Sequence, residues 1–255
     1  MQVSLITCTN NSEKTIKDCC LSIFSQTYEN IEHIILDKNS QDKTIEIVKQ
    51  SKLGNQKIIQ QKSSGIYGAL NEGMKAATGD FIGILHSDDE LLDKNIIKTI
   101  LEIFMKEKID ILFSNLLYTS KHDTNKIIRK WTTKLNEGSQ SNNLILQKIR
   151  SGWMPPHPTL FIRKSFIEKN EIFYDENFKI SSDYDFIIRL FSKANARIFF
   201  LNKFTIKMRF GGESNKNIKN LIIKMKEDFQ ILKKNKLNPF KLLLFKNFSK
   251  ISQFF

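Results

Sequence analysis

From residue 3 to residue 104, short apolar runs alternate with segments of helical periodicity, and the runs stop at polar or acidic residues. Val3–Thr7 reads as a buried strand; a helix start at Asn11–Glu13 then leads to Ile16, Cys19, Cys20, Ile23 and Phe24 at helical spacing. Ile31–Leu36 ends at Asp37, and a polar turn, Lys38–Asp42, precedes a helix carrying Thr44, Ile45 and Val48. Lys57–Gln60 is followed by a Ser-Ser-Gly turn at residues 63–65 and by Tyr67, Leu70, Met74 and Ala77. Phe81–Leu85 closes the series, before Ile96, Ile97, Ile100, Leu101 and Phe104. Units of this length predict an α/β fold: a mostly parallel, doubly wound sheet flanked by helices, with right-handed crossovers.

Beyond residue 109 the pattern loosens. Strands are expected at Ile109–Ser114, Thr159–Arg163, Arg197–Leu201 and Phe204–Arg209, with a hairpin around Lys121–Asn125 and a helix from Asp183. A long helix is expected over 214–235, with Ile218, Leu221, Ile222, Met225, Phe229 and Leu232 on one face and lysines opposite. Pro239 opens a further amphipathic helix toward Phe255. The division this suggests is a catalytic unit over 1–213, split into 1–115 and 116–213, and a basic helical tail over 214–255.

Composition narrows the class. At 255 residues and 40% hydrophobic, the chain has the means to bury a full core. Its apolar runs fall short of the roughly 20 residues that span a bilayer. The first residues read as a strand and not as a signal peptide. Cys8, Cys19 and Cys20 form neither a disulfide framework nor a zinc spacing; the adjacent pair reads as core thiols of a reduced, cytoplasmic protein. A net charge of +13 asks for an anionic partner: nucleic acid, phosphorylated substrate or anionic membrane.

The segment Gly79–Glu90 carries the sharpest chemistry. A buried strand stops at Asp88-Asp89, and adjacent carboxylates at such a point repel each other and resist burial. A divalent cation relieves that conflict, at the strand end where open α/β sheets bind ligands. A helix N-cap at Ser87 or Asp88 is the plainer reading.

Nine blocks in order then resemble one family, the inverting nucleotide-sugar glycosyltransferases of family 2 with the GT-A fold. They are Val3–Asn11, Ser25–Tyr28, Asp37–Thr44, Gly65–Gly73, Ala77–Asp80, Ser87–Asp89, Pro156–Thr159, Ser182–Asp185 and Met208–Gly212. Cys8, Asn10, Lys38, Ser63 and Gly68 depart from residues common in the family. The resemblance implies that Asp37 accepts a hydrogen bond from a uracil N–H, where local spacing alone reads a turn aspartate. It implies that Thr7, Thr9, Asn11, Tyr67, Asn71 and Asp88 lie at the donor; Asn11 also reads as an N-cap. Asp89, with Asp88, is the expected ligand of Mn²⁺ or Mg²⁺, which take oxygen donors. Asp183 is the expected general base, at a helix start where an Asp also reads as a cap, with Asp185 structural or acceptor-binding; His86, by its position, reads as a strand-end histidine ahead of a further metal ligand. For His157, between two prolines, two readings stand: a donor or metal contact, and a structural role.

The expected activity is transfer of a sugar from a UDP-linked donor to a saccharide acceptor, lipid-linked in bacterial capsule, O-antigen or exopolysaccharide assembly. The apolar, basic segment 240–255 suggests a peripheral hold on the anionic inner face of the cytoplasmic membrane, against packing on the core. A basic nucleic-acid-binding protein would account for the charge but has no use for paired strand-end acids. A catalytically dead scaffold would not need Asp37, Asp88, Asp89 and Asp183 together.

Overall fold

A computed structural model describes residues 1–51, 54–211 and 218–239. The alternation expected over the first hundred residues is present. It runs β1 (Val3–Thr9), α1 (Ile16–Phe24), β2 (Ile31–Asp37), α2 (Thr44–Gln50), β3 (Gln56–Gln60), α3 (Gly65–Ala76) and β4 (Phe81–Ile84). Next come a two-residue strand β5 (Glu90–Leu91), α4 (Ile96–Glu107), β6 (Ile111–Thr119), β7 (Ile127–Trp131), β8 (Gly138–Gln140) and α5 (Asn142–Arg150). A 3₁₀ turn at His157–Thr159 precedes β9 (Phe161–Arg163), α6 (Lys164–Asn170), α7 (Ser182–Phe191), β10 (Ile198–Arg209) and α8 (Ile218–Lys234).

The sheet order is β3-β2-β1-β4-β9-β6-β10-β5, with β7 on β6 and β8 on β10. β3, β2, β1 and β4 are parallel, as the crossover lengths require. β9 enters antiparallel between β4 and β6, so the second half is mixed. β1 buries Val3 and Leu5 on one face and Ile6 on the other, the period of two that a sheet covered on both sides demands. One core layer lies under α1 and α4, and the other under α3, α5, α6, α7 and the C-terminal end of α8. Cys19 and Cys20 are buried thiols of the first layer.

Several boundaries differ from expectation. Helix α1 begins at Ile16, because Asn11 takes a left-handed φ of 51° and residues 11–13 are engaged elsewhere. Ser87 and Asp88 cap no helix: Glu90–Leu91 pairs with Ile206–Lys207, and α4 starts only at Ile96. The two strands expected over 197–209 are one, with register shifts between Leu201 and Phe204 and between Phe204 and Ile206. Buried Thr205 closes the irregularity by bonding its hydroxyl to that of Ser114 at 2.6 Å. The hairpin around 121–125 joins β6 to β7.

Helix α8 corrects the expected tail. Ile231 and Leu232 are fully buried in the second core layer, and Glu227 and Asp228 are buried with them. Leu221, Ile222 and Met225, expected on the packed face, are about half exposed. Residues 218–234 therefore pack as part of the catalytic unit. The expected helix over 240–255 lies outside the described residues.

Candidate active site

The carboxyl ends of β1, β2 and β4 meet, and their loops are fastened to one another. The backbone N–H groups of Asn11, Ser12 and Glu13 donate to Ser40 Oγ, Thr44 Oγ1 and Asp42 Oδ2 at 2.7–3.1 Å. In return Asn11 Oδ1 accepts from Gln41 N–H at 2.8 Å. The Ser12 and Ser87 hydroxyls, 3.1 Å apart, tie in the third loop. Asn11 thus joins two loops and is not an N-cap.

Asp37 ends β2 opposite Thr9 in the parallel register. Its two carboxylate oxygens accept from Ser40 N–H at 2.9 Å and Ser40 Oγ at 2.6 Å, an Asx turn in which each oxygen keeps a second lone pair. Beside it, the Thr9 hydroxyl is buried without a hydrogen-bond partner, a cost that a bound polar ligand would remove. Thr7, expected at the donor, is consumed in the core: its hydroxyl bonds Leu85 O at 2.8 Å and His33 Nε2 at 3.0 Å. Burial holds His33 neutral, its pKa pushed down to about 3.

The two acids after β4 diverge. Asp88 is half-buried and acts on His86, whereas Asp89 is 1% exposed, close to Cys19, Tyr118 and Arg209. Neither carboxylate oxygen of Asp89 has a hydrogen-bond partner. Burial first, and then the charge of Asp88, push its pKa well up. Asp88 is thus the more exposed carboxylate of the pair. Arg209 fixes this loop, donating to the Asp88 carbonyl at 3.0 Å, Glu90 at 3.0 Å and Asp18 at 2.5 Å.

Across the mouth stands Asp183, half-buried in the first turn of α7. Its Oδ1 accepts from Tyr184 N–H at 2.8 Å and faces the Tyr67 hydroxyl at 3.4 Å. His86 senses both Asp88 and Asp183, and burial outweighs that attraction and lowers its pKa. His157 is buried, with Nε2 2.7 Å from the Tyr174 hydroxyl; burial lowers its pKa to about 4. The rings of His86 and His157 lie 6.2 Å apart. Tyr67 stacks on Tyr174, and burial and the Asp183 charge raise its pKa beyond the ordinary tyrosine range. Asp183 is thus ringed by groups that stay neutral near pH 7: Tyr67, Tyr174, His86 and His157.

Asn71, expected at the donor, is used up as a clamp. Its amide donates to Tyr174 O at 3.0 Å and Glu176 Oε1 at 2.9 Å, and its oxygen accepts from Tyr174 N–H at 2.8 Å. Asp185 is fully buried against Arg189, Lys234 and Asn235, a structural role. Tyr174 escapes a reading by motif because its partner Asn71 lies 103 residues away, and Arg209, within the Met208–Gly212 block, shows its loop-fastening role only through partners 119 and 121 residues away.

The site fits a divalent cation shared with a ligand better than a closed protein cage. Among the described residues no group of three His, Cys, Asp or Glu side chains is placed to hold a metal. One mouth carboxylate beside a second, unpaired one is the donor set that Mg²⁺-type sites complete with phosphate oxygens.

Comparison with known proteins agrees with this fold. The model of Glycosyl transferase family 2 matches residues 4–170, and the chain belongs to that family. It is 26% identical over 218 residues to an uncharacterized glycosyltransferase of Methanocaldococcus jannaschii, spanning 84% of this chain and 72% of the relative. To the Escherichia coli UDP-Glc:alpha-D-GlcNAc-diphosphoundecaprenol beta-1,3-glucosyltransferase WfaP it is 37% identical over 116 residues, 44% of this chain and 45% of WfaP. The fold superposes on S. aureus TarS 1–349 in complex with UDP-GlcNAc with a TM-score of 0.72 at 24% identity, covering 91% of this chain and 67% of that one. Among the described residues no helix is long and apolar enough to cross a membrane.

Proposed function

We propose that this transferase moves a sugar, with inversion, from a UDP-linked donor to a saccharide hydroxyl. The observation that carries the reading is that Asp88, just after parallel strand β4, and Asp183, in the first turn of α7, both act on His86. Asp37 and the unpartnered Thr9 hydroxyl receive the nucleoside. Asp88 and Asp89 would hold Mn²⁺ or Mg²⁺ beside the donor diphosphate. When bound, that cation offsets the charge developing on the leaving nucleotide. Asp183 takes the proton from the acceptor hydroxyl as it attacks the anomeric carbon, while the C–O bond to the diphosphate breaks on the opposite face. Tyr184 N–H and the Tyr67 hydroxyl, both at its Oδ1, hold the carboxylate in place for this. His157 then supports Tyr174 and the wall of the site.

The names of WfaP and TarS support a UDP-sugar, and that of WfaP supports an acceptor linked to a lipid diphosphate, in surface polysaccharide assembly. A peripheral hold on an anionic membrane suits such an acceptor. The exposed Leu221, Ile222 and Met225 beside Lys219 and Lys226, and the net charge of +13, support it.

Thermal-shift titration of the purified protein with UDP and Mn²⁺ tests the donor assignment, because a ligand that binds the native state raises its melting temperature. The expected result is a shift with UDP that grows with Mn²⁺. A protein indifferent to UDP, GDP and their sugars would overturn the reading.

A further inference from the structure

Asp183 is presented by the short segment 179–182, and that segment is held by a residue remote in sequence. Glu227, in the middle of α8, is 7% exposed. Its Oε1 accepts from Lys179 N–H at 2.7 Å, and its Oε2 accepts from Ile180 and Ser181 N–H at 2.9 Å each. These are three consecutive amides of the approach to α7, two of them before its N-cap, Ser181. The N-cap, Ser181, makes no side-chain capping bond, and the charge-assisted bonds from Glu227 instead anchor the backbone that leads into the helix. The Tyr67 hydroxyl reaches the same segment from the other side, donating to Ile180 O at 2.6 Å. Two turns along α8, Lys234 and Asn235 grip buried Asp185, the second residue after Asp183. The first turn of α7 is therefore clasped by α8 on both sides of Asp183.

We infer that Glu227 is a positioning residue for sugar transfer: it fixes the backbone that aims Asp183 at the acceptor hydroxyl. This rests on the assignment of Asp183 as the base. Gln in its place keeps the volume but turns an N–H₂ group toward backbone N–H donors, so at least one of the three bonds is lost.

The test uses the full chain as Glu227→Gln, Asp183→Asn and Leu232→Ala, the last removing buried apolar volume from the same helix. UDP release is followed from UDP-glucose and UDP-N-acetylglucosamine, with a GlcNAc-diphospho-lipid acceptor, alongside amide exchange of residues 178–184. Glu227→Gln should lower kcat about 10–100-fold, the scale of a small misplacement, with donor KM unchanged and exchange accelerated in 178–184 alone. Leu232→Ala should lower the melting temperature and keep kcat. Wild-type exchange protection in Glu227→Gln, or a kcat loss matched by Leu232→Ala at equal loss of stability, overturns the inference. Full activity of Asp183→Asn would instead remove the base assignment, with the exchange result still deciding whether Glu227 orders the segment.

Discussion

The phenol of Tyr67, rooted in α3, stands 3.4 Å from Oδ1 of Asp183 on α7, joining the nucleotide-side helix to the carboxylate proposed as base. Asp183→Asn should lower transfer by about 10²–10⁴-fold, the usual weight of a general base, with UDP affinity close to wild type. Tyr67→Phe should cost less, because Ile180 O, its closer partner, lies in a segment that Glu227 also holds. Calorimetric titration with UDP beside initial rates checks both. Loss of UDP affinity in Asp183→Asn would make the residue part of the donor site.

Asp88 and Asp89 make a paired prediction. Asp88→Asn removes the mouth carboxylate, and transfer should fall about 10²–10³-fold with a rise in the Mn²⁺ concentration for half-maximal rate. Asp89→Asn should raise that concentration by less. Rate measurements over an Mn²⁺ series rank the two, and the opposite ranking would make Asp89 the principal ligand.

Glu32 sets an acid limit on stability. Burial pushes its pKa up, but Lys57, the Ser4 hydroxyl and the amide and hydroxyl of Thr78 together outweigh that, holding it at about 2 against 4.5. A carboxylate with a depressed folded-state pKa contributes its full stability above the unfolded value, and that contribution is lost as pH falls toward the folded one. Urea midpoints of wild type and Glu32→Gln should differ clearly at pH 7 and converge between pH 4.5 and about 2. A pH-independent gap would mean the loss is one of packing.

Truncation after Asn238 removes residues 239–255 and leaves α8 whole. The shortened protein should keep its melting temperature and UDP binding while losing salt-sensitive co-sedimentation with anionic vesicles, each nearby lysine being worth about 1 kcal/mol. Equal sedimentation of the two forms would move the membrane contact to Leu221, Ile222 and Met225.

The first half of the fold was legible because its signals are local: runs such as Ile31–Leu36, apart from Glu32 and His33, and Phe81–Ile84 are apolar, and both strands are buried along their whole length. The irregular second half was less so. Strand β10 reads as two because Asn202 and Lys203 break its apolar run, while its continuity depends on β6. Thr7 and Asn71 show the limit for the site. Both sit in blocks that resemble the family's donor motifs, yet His33, Leu85 and Tyr174, which claim their polar atoms, are fixed only by tertiary packing. Glu227 is the sharper case, since an acid among lysines on an amphipathic helix reads as solvated until its partners at 179–181 are known.

The Asn71 clamp bears on how such an enzyme exchanges parts by recombination. A crossover near residue 115 would carry Tyr174 and Glu176 in from one parent and Asn71 from the other. A mismatched pair strands a buried amide at the seam, at a cost of about 1–3 kcal/mol. Hybrids that keep Asn71, Tyr174 and Glu176 from one parent should then fold more stably than those that mix them.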